Sequence, residues 1–163
     1  MFNSTADFDK FYSLYFDSVY TFSFALSQSI TLSNDIVHQV FTKFLESEKE
    51  LESEKSGFFE LLKITDWAYF NFLSHKKKGY LYRKGMAKED ENNIKFDNKY
   101  FLINLINKTL SIRELKEVYI LRFILGLSID DISKILSYPK DAIKTNLVRA
   151  RDLILQEWKN STF

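Results

Sequence analysis

A single proline and only four glycines occur in the whole chain, so long stretches run without a residue that breaks a helix. Through those stretches apolar residues recur every three or four positions, the period of one face of an α-helix. Phe8, Phe11, Tyr15, Val19 and Phe22 form the first such stripe. Ile36, Val37, Val40, Phe41 and Phe44 form the second, within TLSNDIVHQVFTKFL, where Ser33 is the expected N-cap. A third helix is expected through FFELLKITDWAYFNFL, and Phe101, Leu102, Leu105 and Ile106 mark a short fourth one. Ser111, with Glu114 three residues on, has the spacing of a capping box and opens IRELKEVYILRFIL, which Gly126 should stop. Ser128 with Asp131 then starts IDDISKIL, SYP makes a tight break, and Pro139 suits the first turn of a last helix. In that helix Ile143, Leu147, Ala150 and Ile154 face a core. The expected fold class is all-α.

Two small helical domains fit this pattern better than one. Between the third and fourth helices, SHKKKGYLYRKGMAK is basic and broken by Gly79 and Gly85, EDENN reverses the sign, and apolar residues are sparse from Met86 to Asn98. The expected division is a helical domain over 1–85, a flexible linker over 86–99 and a second helical domain over 100–163. A second polar run, ESEKELESEKSG, ends at Gly57 and reads as the frayed end of the second helix plus a loop.

Composition removes several classes of function. With 45% hydrophobic and 17% aromatic residues the chain is too apolar for disorder. It has no cysteine, which excludes disulfides, thiolate zinc sites and a cysteine nucleophile. Its two histidines, His38 and His75, stand far apart and outside any metal-binding spacing, and no glycine-rich loop follows a strand. Neither an enzyme, a cofactor nor a metal is expected. The N-terminus, MFNSTADFDKFY, lacks the basic start and apolar core of a signal peptide, and no apolar run is long enough to cross a bilayer. The expected location is the cytoplasm.

The net charge of +1 means that any contact with a polyanion comes from local patches. The clearest patch is DAIKTNLVRARDLI, whose polar side carries Lys144, Thr145, Arg149 and Arg151. A short amphipathic helix, a tight turn and a longer helix are the layout of a helix-turn-helix. In that layout Ile129, Ile132, Ile135 and Leu136 pack against Ile143 and Leu147. Lys140, Lys144, Thr145 and Asn146 come nearest the bases, and Arg149 and Arg151 lie along phosphates. Asn146 has the amide to read an adenine edge, at about 1–3 kcal/mol of discrimination. A plain helical hairpin with a solvated basic face has the same spacing.

LSIRELKEVYILRFILGLSIDDISKILSYPKDAIKTNLVRARDLI resembles the C-terminal domain of bacterial sigma factors of the extracytoplasmic-function (ECF) type. The matching residues include Glu117, Val118, Leu121, Arg122, Gly126, Ser128, Ile132, Leu136, Ile143, Lys144, Leu147, Arg149, Ala150 and Arg151. Ser137 stands where the family often has Gly, and Asn146 where it often has Arg. NDIVHQVFTKF resembles the family helix that docks on the clamp coiled coil of RNA polymerase. Asp35, Val37, Val40 and Phe41 match there, while His38 and Gln39 replace a usual Gln and Glu.

The resemblance implies that Asp35, His38 and Gln39 bind polymerase and that the C-terminal domain reads the upstream promoter element. It implies that the third helix helps to melt the downstream element, a task that needs aromatic surfaces for bases and cations for the backbone. Trp67, Asn71, Lys76, Lys77, Lys78 and Arg83 are the candidates. Four aromatics within six residues, Trp67, Tyr69, Phe70 and Phe72, cannot all face DNA from one helix, so some belong to the core. Trp67 replaces the family's usual Asn, Asn71 its usual Asp, and the preceding loop is acidic.

The expected partners are core RNA polymerase, through its clamp coiled coil and flap, and promoter DNA, with an anti-sigma factor or a DNA-bound recruiter as a further class. Two other readings stay open at this level. One is a sigma-like adaptor brought to DNA by another factor, RNA-guided or not. The other is a stand-alone helix-turn-helix regulator, which needs a second copy of itself although no heptad seam is present.

Overall fold

The computed structural model describes residues 5–47, 52–77 and 98–162. The all-α expectation holds: the described residues form seven α-helices and one π-helical turn, with no strand. The chain divides into two compact units, Met1–Leu81 and Tyr82–Phe163. Residues 86–97 of the expected linker lie outside the described residues, and residues 98 and 99 begin a helix. No helix among the described residues is long and apolar enough to cross a membrane.

The N-terminal unit is a three-helix packing of α1 (Thr5–Ser27), α2 (Ile30–Glu46) and α3 (Glu54–Lys77). Its core is largely aromatic. Phe11, Val19, Val40, Phe41, Phe44, Leu61 and Ala68 are buried together, with Phe8, Tyr15 and Phe72 partly buried against them. Phe11 stacks on Phe44 at 5.2 Å, and Tyr15 stacks on Phe58 at 4.7 Å. Burial, and secondly the carboxylate of Glu54, raises the Tyr15 phenol above its ordinary pKa.

Two helix starts differ from expectation. α2 is capped by Ser29, whose hydroxyl accepts from the Leu32 N–H, and not by Ser33. α1 runs on to Ser27, and Gln28 turns the chain with φ +56, so the first serine after the turn takes the cap. Ser33 is instead buried one turn into α2 and donates its hydroxyl to the Ser29 carbonyl at 2.6 Å. Likewise Gly57 is buried within α3 and does not end a loop. Ser53 and Ser56 explain why that helix starts early. The backbone N–H of each donates to the other's hydroxyl at 3.1 Å, a reciprocal cap made by two serines.

The C-terminal unit contains α4 (Asn98–Thr109), α5 (Arg113–Tyr119), the π turn (Ile120–Ile124), α6 (Ile129–Leu136) and α7 (Lys140–Thr162). Ile103, Ile106 and Leu110 are the buried stripe of α4 and its end, so the apolar face is turned from the expected one and Phe101 is 67% exposed. Lys108 pairs with Glu157 at 2.7 Å and ties α4 to α7. The capping box expected at Ser111 does not form. α5 begins after Ile112, which leaves Ser111 one residue outside the cap position, and no side chain caps that end. Gly126 takes φ +71 after the π turn, and the Leu127 N–H returns to the Leu121 carbonyl at 3.0 Å. A left-handed residue at this point is what closes the helix.

Candidate nucleic-acid and polymerase interfaces

The helix-turn-helix is built around the α6–α7 turn. Ser128 caps α6 as expected, accepting from the Asp131 N–H at 3.1 Å. Ser137 takes the left-handed conformation with φ +57, where a glycine carries no Cβ penalty. Pro139 sits at the entrance of α7, its carbonyl accepting from the Ile143 N–H at 3.1 Å. Ile132, Ile135, Leu136, Ile143, Ala150 and Ile154 are buried, which fixes α7 against α6 and the rest of the unit.

The turn is also held from the side by a residue that the apolar pattern did not single out. Glu117 on α5 is fully buried. It pairs with Arg113 one turn earlier and accepts a hydrogen bond from the Tyr138 hydroxyl at 3.3 Å. Ser133 donates to the Tyr138 carbonyl at 2.7 Å, so Tyr138 is tethered through both backbone and side chain. Burial lowers the pKa of neighbouring Lys116, an effect partly opposed by the Glu117 charge. A buried carboxylate tied to the turn links α5 to the start of α7.

The upstream-element candidates all lie on α7 but do not share one face. Lys140, Lys144, Thr145, Arg149 and Arg151 are exposed, and Asn146 is half-buried. Residues two apart on an α-helix point about 200° from each other, so Lys144 and Asn146 face different ways. Lys140 reaches Asp130 on α6 at 2.8 Å, Lys144 lies 3.5 Å from Asp141, and Arg151 lies 3.3 Å from Asp152. Exposed pairs of this kind hold little energy, so the cations remain available to an anion. Lys144, Thr145, Val148, Arg149, Asp152 and neighbouring residues line a shallow depression of about 580 Å³ on α7.

On α2 the polymerase candidates come together. Asp35, His38 and Gln39 are all exposed, with Thr42 and Glu46 continuing the same side. Their spacing of three, four and seven residues makes one continuous stripe opposite the buried Ile36, Val40 and Phe44. Beside it, between α1 and α2, is a cavity of about 360 Å³ lined by Phe8, Tyr12, Phe16, His38, Phe41 and Leu45 among others.

On α3 the aromatic cluster splits. Tyr69 and Phe72 pack against the core, while Trp67 is 41% and Phe70 51% exposed. Phe70 is a surface residue that sequence reasoning did not choose. Its position three residues from Trp67, on the side away from Leu61, Thr65 and Ala68, was the available signal. The Lys43 ammonium from α2 lies 3.7 Å from the centre of the Trp67 ring, a cation–π contact. Asn71 is half-buried. The side chains of Lys76 and Lys77, and all of Lys78 and Arg83, lie outside the described residues.

Comparison with known proteins bears on the helix-turn-helix and on the fold. Residues 113–154 match the family model for sigma-70 region 4, covering α5, α6 and most of α7. No curated protein matches the chain in sequence. Among solved structures the chain is similar to the sigma factor RpoE from Bartonella quintana, crystallised with the anti-sigma factor NepR. The TM-score is 0.69 at 20% identity, over 94% of this chain and 97% of that one. Residues 113–154 thus match the sigma-70 region 4 model, and the chain that carries them has an all-helical, two-domain fold similar to that of a sigma factor.

Proposed function

We propose that this protein is an RNA polymerase sigma factor of the ECF type, which binds core polymerase and directs transcription initiation at specific promoters. The observation that carries the reading is the helix-turn-helix within the region 4 match, with Lys140, Lys144, Arg149 and Arg151 exposed on its second helix. Phosphate contacts from those cations supply affinity and register. The exposed stripe of Asp35, His38 and Gln39 on α2 supports docking on the polymerase clamp, and Trp67 with the basic run after α3 supports a contact with the downstream element. The neighbour of known structure was crystallised with an anti-sigma factor, and a protein of that class is a partner to look for here.

The test is co-elution of the purified protein with core RNA polymerase from its own host, followed by footprinting. One-to-one co-elution and a two-part promoter motif support the proposal. Co-elution with occupancy that shares no motif points to an adaptor placed by another factor. Failure to co-elute at micromolar concentration, with core that binds its principal sigma factor, points to a stand-alone regulator. Within the DNA reading, Lys144→Ala with Arg149→Ala should reduce the slope of log affinity against log salt by about two, one for each lost phosphate contact. An unchanged slope removes these residues from the interface.

A further inference from the structure

The cations of α7 are not at the centre of its outward face. At about 100° per residue, Lys144, Val148, Thr145 and Arg149 follow one another around the helix at about 0°, 40°, 100° and 140°. The buried Ile143 and Ala150 lie on the far side. Between the flanks lie Val148 and Thr145, with Arg149 on one side and Lys144 on the other, where Lys140 and Arg151 follow at about 320° and 340°. Val148 is 51% exposed. The Thr145 hydroxyl is already used, donating to the Asp141 carbonyl at 2.9 Å. Neither residue offers a free charge or amide to a base edge. What they present is methyl groups.

Resting on the promoter-reading function above, we infer that α7 recognises thymine in the upstream element through its C5-methyl group, with Val148 as the main contact and Thr145 beside it. The major groove shows only one apolar group, the thymine methyl, and an aliphatic side chain is its natural complement. The flanking charges fit this placement, since Lys144 and Arg149 on opposite sides of the arc match the phosphates that border a groove. The carboxylates limit its length. Asp141 precedes the arc and Asp152 follows it, and each is held by a neighbouring cation, Lys144 at 3.5 Å and Arg151 at 3.3 Å. Thr145 and Val148 are about 4.5 Å apart along the helix axis, so the methyl contact covers one or two adjacent base pairs. The half-buried Asn146 lies outside this arc.

The experiment removes the methyl and nothing else. Duplexes are selected from a random pool by the full-length chain bound to core polymerase. Each thymine of the enriched upstream segment is then replaced in turn by deoxyuridine. The expected result is a loss of about fourfold in affinity at one or two adjacent positions, the size of one methyl group returned to water. With Val148→Ala the same replacement should change affinity by less than about twofold, because the apolar partner is already gone. Equal losses for the native chain and Val148→Ala, or no loss for the native chain at any thymine, overturn the inference while leaving promoter binding intact. A pool that yields no enriched motif overturns the promoter-reading function, and this inference with it.

Discussion

Phe11, Phe22, Phe24, Phe41 and Phe44 are buried in the N-terminal unit, whereas every buried apolar residue described in the C-terminal unit is aliphatic. The buried polar groups differ as well. The N-terminal unit buries hydroxyls such as Ser23 and Thr65, which donate to the carbonyl four residues back in their own helix at 2.8 Å. The C-terminal unit buries a carboxylate, Glu117, that reaches out of its helix to Tyr138. Aromatic rings fill the core between the three long helices of one unit, and branched aliphatics fill the core of the other. A hydroxyl bonded to its own helix asks nothing of its neighbours. A buried carboxylate demands partners from elsewhere and so ties segments together. One unit is organised to present helix faces and the other to hold a turn.

Substitutions can break that comparison. The largest effect expected is from Phe22→Ala, which removes a fully buried ring and should lower the stability of the N-terminal unit by about 3–5 kcal/mol. Hydrogen exchange read peptide by peptide should show faster exchange in α1–α3 and little change in α5–α7. Equal acceleration in both units would mean that they unfold together. Arg113→Ala comes next. It removes the cation paired with the buried Glu117, at a cost of about 3 kcal/mol, with the added exchange centred on α5 and the 137–139 turn. A change below about 1 kcal/mol would show that the carboxylate is not what ties the turn.

Smaller effects sharpen the contrast at the helix ends. Ser29→Ala removes a hydroxyl cap from α2 and should cost about 1 kcal/mol, while Ser111→Ala, which caps nothing, should stay within about 0.5 kcal/mol. Similar losses in urea titration would restore Ser111 as a cap. Ser137→Gly has the opposite sign. It relieves a left-handed Cβ and, after the entropy cost of glycine, should raise the stability of the C-terminal unit by about 0.5 kcal/mol. A loss would show that the Ser137 side chain contributes more than its strain costs.

These results also show what a sequence can disclose. Helix periods were readable because burial of one face repeats along the chain, and Ser128, Gly126 and the α6–α7 break were readable because their chemistry is local. Which serine caps α2 was not, since SQSITLSND contains three candidates and the choice depends on where α1 ends. Glu117 was missed as a core residue because the apolar period treats a charge as surface, and only the fold brings Tyr138 to it. Phe70 and Val148 have a different cause. Phe70 is one of four clustered aromatics whose division between core and surface depends on the packing of α3, and Val148 is an apolar residue on an outward face.

The Lys43 ammonium above the Trp67 ring has an optical consequence. The chain contains two tryptophans, Trp67 in one unit and Trp158 in the other. Replacing Trp158 with phenylalanine leaves a single indole whose emission carries the imprint of an adjacent cation. A DNA phosphate that draws the ammonium away, or a base that takes its place, should change that emission as the complex forms in a mixing experiment. The molecule thereby contains an unlabelled fluorescent probe on the face of α3, suited to testing in real time whether DNA reaches that face.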